Sequence, residues 1–208
     1  MARPVPTLET ERALFASGSR VVVGMDEVGR GAIAGPVTIG VVAVDASVGT
    51  VPEGLADSKL MTAKRREAMV PIVKQWALAW GTGSATASEI DAYGIMAALS
   101  LAGSRALASL GVHPDVVILD GTTSFLVEEV NGPRVITQVK ADQTCASVSA
   151  ASVIAKVERD ALMTTLHEQY PHYGWNSNKG YGAKVHTDAL RTHGVTELHR
   201  RSWNLGVS

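Results

Sequence analysis

The sequence predicts an α/β domain built on one central, mixed sheet, and three observations carry that reading. Apolar runs rich in β-branched residues recur at RVVVGMDEV, TIGVVAVDA, AWGTGSAT, DVVILDG and RVITQVKAD, which makes five strands. Longer stretches with helical spacing stand between and after them. Beyond the second run, strand and helix alternate, so part of the sheet should be parallel.

The elements follow in order. Residues 1–19 carry acids and lack the apolar run of a signal peptide, so they read as a lead segment, with 20–208 as the main domain. Residues 20–28 form the first strand, the turn GRGAIAGP follows, and TIGVVAVDA is the second strand. TAKRREAMVPIVKQWALAW has helical spacing that Pro71 is expected to kink or divide. AWGTGSAT supplies the third strand. Ser88 is placed as the N-cap of a helix running through SEIDAYGIMAALSLAGSRALASLG and ended by Gly111. DVVILDG and RVITQVKAD are strands four and five. A long helix spans Ala146 to about Tyr170, and from Pro171 a Gly-rich loop mixes with short helices.

A length of 208 residues with 46% hydrophobic and 19% charged residues suits one domain with a buried core. A single cysteine, Cys145, excludes an internal disulfide and a multi-cysteine zinc site, and fits a reducing, cytoplasmic compartment. No stretch approaches the apolar length of a membrane span. Cys145 has no His or Cys partner at motif spacing and reads as a small buried filler at a helix start.

The net charge of −1 argues against a broadly basic nucleic-acid binder. The distribution softens that argument. Between Pro171 and Trp203 stand Lys179, Lys184, Arg191, Arg200 and Arg201 against Asp188 and Glu197, and four of the six histidines lie there too. A nucleic-acid contact would be local.

The acids are the main chemical signal. Asp26 and Glu27 end the first strand, Asp120 ends the fourth, and Asp142 follows the fifth. Ligands of open α/β sheets gather at the carboxyl ends of strands. Four carboxylates brought together repel one another unless a cation intervenes, and an oxygen-only set suits a hard divalent ion rather than zinc. Alternation along a strand points Asp26 and Glu27 to opposite faces, so one site requires a twist or bend, which Gly24, Gly29 and Gly31 permit. The plainer alternative for any one strand-end Asp is a turn cap or a local ion pair. Together the acids point to metal-dependent phosphoryl transfer.

Gly29-Arg30-Gly31 lets the backbone approach a ligand, with Arg30 able to fork onto a phosphate; an ordinary tight turn is the alternative. In YGWNSNKGYGAKVH, Lys179 and Lys184 are candidates for phosphate contacts and Tyr181 for stacking, whereas Tyr173 and Trp175 read better as packing. Asp57-Ser58-Lys59 adds another possible phosphate contact.

These segments resemble the ribonuclease HII family, the bacterial type 2 ribonucleases H. GMDEVGRGAIAGPV is similar to its opening signature, and ADSKLMTAKRRE, EIDAYGIMAAL, VVILDG, KADQTCASVSAASVIAKVERD, YGWNSNKGYGAKVH and HRRSW to later motifs in the same order, from about Val22 to Trp203. The resemblance implies a ribonuclease H-like fold, a mixed five-stranded sheet flanked by helices, with a substrate-contacting, helical C-terminal extension over about 171–208. It implies that Asp26, Glu27, Asp120 and Asp142 are the catalytic carboxylates and ligands of Mn²⁺ or Mg²⁺; Asp160, in the VERD tail of the long helix, is the rival for the fourth place and matches no family ligand. It implies that Gly29, Arg30 and Gly31 read the ribose 2′-OH, that Tyr181 senses the RNA–DNA junction, and that Lys156 faces substrate, beside the phosphate contacts already read at Lys59 and Lys179.

The implied activity is hydrolysis of the RNA strand of RNA–DNA hybrids and cutting 5′ of ribonucleotides embedded in duplex DNA, leaving 3′-hydroxyl and 5′-phosphate ends. The sequence departs from the family at DSKLM and at Ala183, both positions that bear on phosphate contacts. The alternatives are another nuclease of the same fold, which the GRG turn and KGY element argue against, and a catalytically silent nucleic-acid-binding protein. The latter would be favoured by loss of any of the four acids, all of which are present.

Overall fold

The computed structural model describes residues 4–206 apart from 128, 129 and 131. Five strands form: β1 (Val21–Val28), β2 (Val37–Asp45), β3 (Ala79–Ala85), β4 (Val116–Asp120) and β5 (Arg134–Gln138). Their order in the sheet is β3-β2-β1-β4-β5. β2 lies antiparallel to β1 and β3, while β1–β4 and β4–β5 are parallel. The sheet is therefore mixed, as the alternation of elements predicts.

Parity along β1 divides the core. Val23 and Met25 face α4 (Ile95–Ala108) in a cluster that also holds Val41, Leu99, Ala102, Val117 and Leu119. Val22 faces the other way, toward Val148, Ala151 and Ile154 of α6 (Ala146–Gln169). The first half of α6 is built from Ala, Ser and Val, and nearly all of it is buried. Gly24 and Gly40 complete this interface. A Cβ on Gly24 would collide with the Ser147 carbonyl group, and one on Gly40 with the Ala151 carbonyl oxygen. At these two positions the helix lies directly on the backbone of β1 and β2.

Residues 1–19 are not a loose leader where they are described. Helix α1 (Glu9–Ala16) packs at the start of α6. Thr7 exchanges backbone hydrogen bonds with the chain around Cys145, its N–H donating to Thr144 O and its carbonyl accepting from Ala146 N, each at 2.9 Å. The buried Glu11 carboxylate accepts from the Ser147 backbone N–H (2.9 Å) and hydroxyl (2.7 Å). Cys145, at the N-cap of α6, makes no side-chain cap bond, so Glu11 supplies the cap from another helix. Cys145 is buried, as expected of a filler.

Three local expectations need correcting. Pro71 lies inside α2 (Ala63–Trp76) without dividing it, because it sits on the exposed face, where the carbonyl of Glu67 left without a donor can turn to water. Helical spacing carried on to Trp80 breaks at Trp76, where the chain turns to enter β3. The helix read as one element from Ser88 is two, α3 (Ala87–Tyr93) and α4, separated by Gly94 at φ 79°. Thr86 rather than Ser88 is the cap: its hydroxyl accepts from Glu89 N–H while the Glu89 carboxylate reaches back to Thr86 N–H, a capping box.

After α6 come a short 3₁₀ turn (Pro171–Tyr173), α7 (Trp175–Asn178) and α8 (Lys184–His193), with a separate apolar cluster of Tyr173, Trp175, Leu190 and Met163. Tyr173 and Trp175 are thus core residues. Among the described residues no helix is long and apolar enough to cross a membrane.

Gly24→Ala should destabilise the fold by about 1–3 kcal/mol or more, as overpacking does. For a chain of this size that lowers the Tm by at least ~2–4 °C. Gly49→Ala, where an added Cβ meets nothing, should leave the melting curve in place. Equal melting of the two variants would show that close approach is not what Gly24 provides.

Candidate active site

Met25 pairs with Leu119 across the parallel β1–β4 ladder, so the next residues, Asp26 and Asp120, stand at the same level at the carboxyl ends of adjacent strands. Both share the parity of the residues that face α6. Asp120 accepts from Ala141 N–H at 2.8 Å, and Ala141 opens α5 (Ala141–Thr144), the single turn that carries Asp142. Ser149 of α6 donates its hydroxyl to the Asp142 carbonyl at 2.6 Å. Three elements and α6 thereby place Asp26, Asp120 and Asp142 beside one another.

Glu27 points to the other side of β1 yet borders the same cleft, because the chain turns directly after it at Gly29, φ 82°. The cleft encloses about 230 Å³ and is lined by Asp26, Glu27, Gly29, Arg30, Gly31, Ser58, Lys59, Ser152, Lys156 and Tyr181. Asp120 and Asp142 lie outside its walls.

Burial pushes the Asp26 carboxyl well above the usual range, and the Glu27, Asp142 and Asp120 charges add to that. Burial also raises Glu27 and Asp120, partly offset by Arg30 for the former and by the Ala141 N–H for the latter. Lys59 is the local counter-ion. Its ammonium bonds Asp142 Oδ2 at 3.1 Å. Burial pulls Lys59 down, but Asp26 and Asp142 outweigh that and hold it above its ordinary value. The Asp57 carboxylate caps the short 3₁₀ turn Ser58–Leu60 that carries Lys59, accepting from Lys59 N–H at 2.9 Å.

The remaining residues singled out in the sequence divide. Arg30 pairs with Glu27 at 3.6 Å. Gly31 leaves open space where a side chain would be. Tyr181 is partly exposed and borders the cleft. Lys156 also borders it, with its ammonium 2.8 Å from Asp160. Asp160 is shared with Arg66 at 3.6 Å, so it is neutralised on α6 and does not join the four acids. Lys179 lies in a neighbouring groove with Arg66 and Thr164, its ammonium bonded to Thr164 Oγ1 and Asn176 O, each at 2.7 Å; the structure does not bring it to the carboxylates. Lys184 pairs with Asp188 on the surface of α8.

Two arginines are buried: Arg159, which the sequence reading did not single out, and Arg200, which it counted among the bases open to a local nucleic-acid contact. Arg200 donates to the carbonyls of Gly29 (2.6 Å), Arg30 (2.7 Å) and Gly35 (3.1 and 3.2 Å). Arg159 donates to Pro36 (2.8 Å), Ala34 (3.2 Å) and Lys179 (2.8 Å). Burial and the neighbouring Arg159 lower Arg200 to about 10, which still leaves it charged at neutral pH. Together they bind the turn after β1 to the segment carrying Tyr181. A signal for Arg159 existed: it lies four residues from both Ala155 and Met163, on the buried stripe of α6. Nothing comparable marks Arg200.

Asp142 Oδ1 is buried without a hydrogen-bond partner, and the acids offer only oxygen ligands, so the residues fit a hard ion. They do not converge on one point: among the described residues no three His, Cys, Asp or Glu side chains are gathered closely enough to hold an ion.

The chain matches the family model described as Ribonuclease HII over residues 23–205. It is 48% identical over 200 residues to a ribonuclease HII of Streptomyces avermitilis, covering 95% of this chain and 83% of that one. A ribonuclease HII of Paracoccus denitrificans is 45% identical over 198 residues, covering 95% and 91%. Among solved structures, the ribonuclease H2 of Pyrococcus horikoshii OT3 superposes with a TM-score of 0.73 at 27% identity, over 89% of this chain and 94% of that one.

Asp26→Asn should stabilise the metal-free protein at pH 8 by on the order of 1 kcal/mol, since a buried, unpaired charge is removed. A carboxyl whose folded pKa lies above its unfolded value loses stability as pH rises through that folded value and regains it as pH falls. The advantage of the variant should therefore shrink at pH 5. Melting curves in a chelator at the two pH values check this; a variant no more stable than the parent at pH 8 would contradict the electrostatic account.

Proposed function

The chain belongs to the ribonuclease HII family, and from that premise we propose that its cleft cuts the phosphodiester on the 5′ side of a ribonucleotide, in hybrids and at single ribonucleotides embedded in duplex DNA. As a family member it is a ribonuclease H, a hydrolase that acts as an endonuclease on the RNA of RNA–DNA hybrids. The observation that carries the finer reading is the shared cleft: carboxylates, a glycine-lined turn and one aromatic ring border the same small space.

Asp26, Glu27, Asp120 and Asp142 would hold the divalent ion, Mn²⁺ or Mg²⁺. When bound, such an ion lowers the pKa of water and neutralises charge building on a phosphodiester. The other roles belong to the chain itself. The Gly29–Gly31 backbone carries no side-chain bulk except Arg30, so it can lie against the ribose and test for the 2′-hydroxyl, which distinguishes RNA from DNA. Tyr181 would pack on a sugar at the junction and hold the scissile phosphate over the acids. Arg30, Lys59 and Lys156 offer positive charge inside the cleft, and Lys179 lies farther along the duplex path. These local charges suit a protein whose net charge is −1, with binding confined to one face. In this reading residues 20–208 form the catalytic domain, about 171–208 the substrate-contacting extension, and 1–19 the lead that caps α6.

The products should carry 3′-hydroxyl and 5′-phosphate ends. A duplex with one ribonucleotide, incubated with Mn²⁺ or Mg²⁺, reports this directly. Binding without cleavage would favour the silent nucleic-acid-binding alternative. Tyr181→Ala should slow cleavage at the single ribonucleotide by about ten- to a hundred-fold, the loss of ~1–3 kcal/mol of stacking. Metal affinity by calorimetry should not move. A near-parental rate on both a long hybrid and the single-ribonucleotide duplex would remove Tyr181 from the site.

A further inference from the structure

Behind the Tyr181 loop lies a buried imidazole pair that the reaction does not use directly. His186 of α8 is fully buried and His199 is 1% exposed. Their Nε2 atoms stand 3.0 Å apart, so one of the two carries a proton. Fixed donors and acceptors around them decide which.

The Thr196 backbone N–H can only donate, and it meets His199 Nδ1 at 2.9 Å. That nitrogen is therefore bare, and His199 carries its proton on Nε2. The Trp175 indole N–H can likewise only donate, and it meets His186 Nε2 at 3.1 Å. His186 Nε2 is then an acceptor for both neighbours, and the proton of His186 sits on Nδ1. Nδ1 lies 2.9 Å from the Tyr181 carbonyl oxygen, which can only accept. The hydrogen bonds run one way, from Thr196 through His199 and His186 to Tyr181. Burial lowers both imidazoles, His199 to about 4, with the His186 ring and Arg201 adding to its shift and Glu197 opposing it. Both rings are neutral at physiological pH, as the relay requires.

Tyr181 has other restraints, since the Arg159 guanidinium lies 5.8 Å from its ring centre and the Gly180 carbonyl accepts from Ile33 and Ala34 N–H, but its own carbonyl has few. The residue stands between Gly180, at φ 85°, and Gly182. Its own N–H bonds Asn178 O at 2.9 Å, and its carbonyl takes part in a three-residue turn closed by Ala183 N–H at 2.8 Å. Such a turn is weak alone. The second bond to that carbonyl, from His186, ties the loop to the core.

We propose that His186 is a positioning residue for Tyr181: its Nδ1–H, oriented by His199 and Trp175, pins the Tyr181 carbonyl and so aims the ring across the cleft at the substrate sugar. The proposal rests on the reading above that Tyr181 contacts substrate.

A double-mutant cycle on the full chain, with cleavage of a single-ribonucleotide duplex as readout, tests it. His186→Ala should slow cleavage about tenfold, the worth of one such hydrogen bond. On a Tyr181→Ala background the same change should cost less than about twofold, because the ring it aims is gone. Additive losses, with Tyr181→Ala itself impaired, would overturn the proposal while leaving Tyr181 in the site. A parental rate for Tyr181→Ala alone would instead show that the underlying reading has failed.

A second pair of variants guards against a fold that does not survive alanine. His186→Asn keeps a donor where Nδ1 stood and loses the acceptor; His186→Gln keeps an acceptor where Nε2 stood and loses the donor. The proposal expects Asn to be the more active of the two, whichever melts higher. If Gln is as active as Asn or more so, His186 only fills and satisfies the core, and the proposal falls.

Discussion

The placement of the site depends on one close approach, that of α6 to the backbone of β1 and β2. Without side chains at Gly24 and Gly40, the helix rests on the strands themselves. The residues just before it, α5 with Asp142, are then set beside the carboxyl ends of β1 and β4, and the Ala141 N–H comes within hydrogen-bonding distance of Asp120. The small residues of α6 serve the same end. Ser149 ties down the backbone at Asp142, and Ser147 receives the remote cap from Glu11. A bulkier interface would lift the helix and separate the acids, which no adjustment of their side chains could reverse.

Charge is distributed around that point in two opposite ways. At the sheet end carboxylates accumulate from both sides of β1 with Lys59 as their cation, and burial raises Asp26, Glu27 and Asp120. A few residues away, Arg159 and Arg200 are buried with carbonyl oxygens as their hydrogen-bond partners. Full hydrogen bonding makes burial of a guanidinium tolerable, and its planar fork gathers several carbonyls at once. The turn after β1 owes its shape to these bonds as much as to its glycines.

The same arginines join two segments distant in sequence. Arg159 links Ala34 and Pro36 to Lys179, and the backbone N–H groups of Ile33 and Ala34 both donate to the Gly180 carbonyl, at 2.9 and 3.1 Å. The glycine turn and the Tyr181 loop are therefore one wall of the cleft rather than two independent loops. His186 and His199 anchor that wall from behind. Recognition by close backbone approach needs such rigidity, since a mobile wall would lose more entropy on binding than the contacts return.

The five strands, the long helix and the core character of Tyr173 and Trp175 were legible in the sequence, because periodicity and β-branching act locally. So were the strand-end acids, since a carboxylate closing an apolar run stands out in one dimension. Boundaries set by competing local signals were less legible: Thr86 took the cap from Ser88 because Glu89 completes its box, and the helix ran on through Pro71 because the Glu67 carbonyl it leaves without a donor faces water. What only the tertiary structure decided is which groups meet. Asp160 and Lys179 look equivalent to their neighbours in sequence, yet one is neutralised by Arg66 and Lys156 and the other sits in a separate groove. The carboxyl of Glu11, the arms of Arg159 and Arg200 and the protons of His186 and His199 find partners that in most cases lie more than a hundred residues away or on another element. Hydrogen bonds and charges act over a few ångströms in space, and the distance along the chain does not enter.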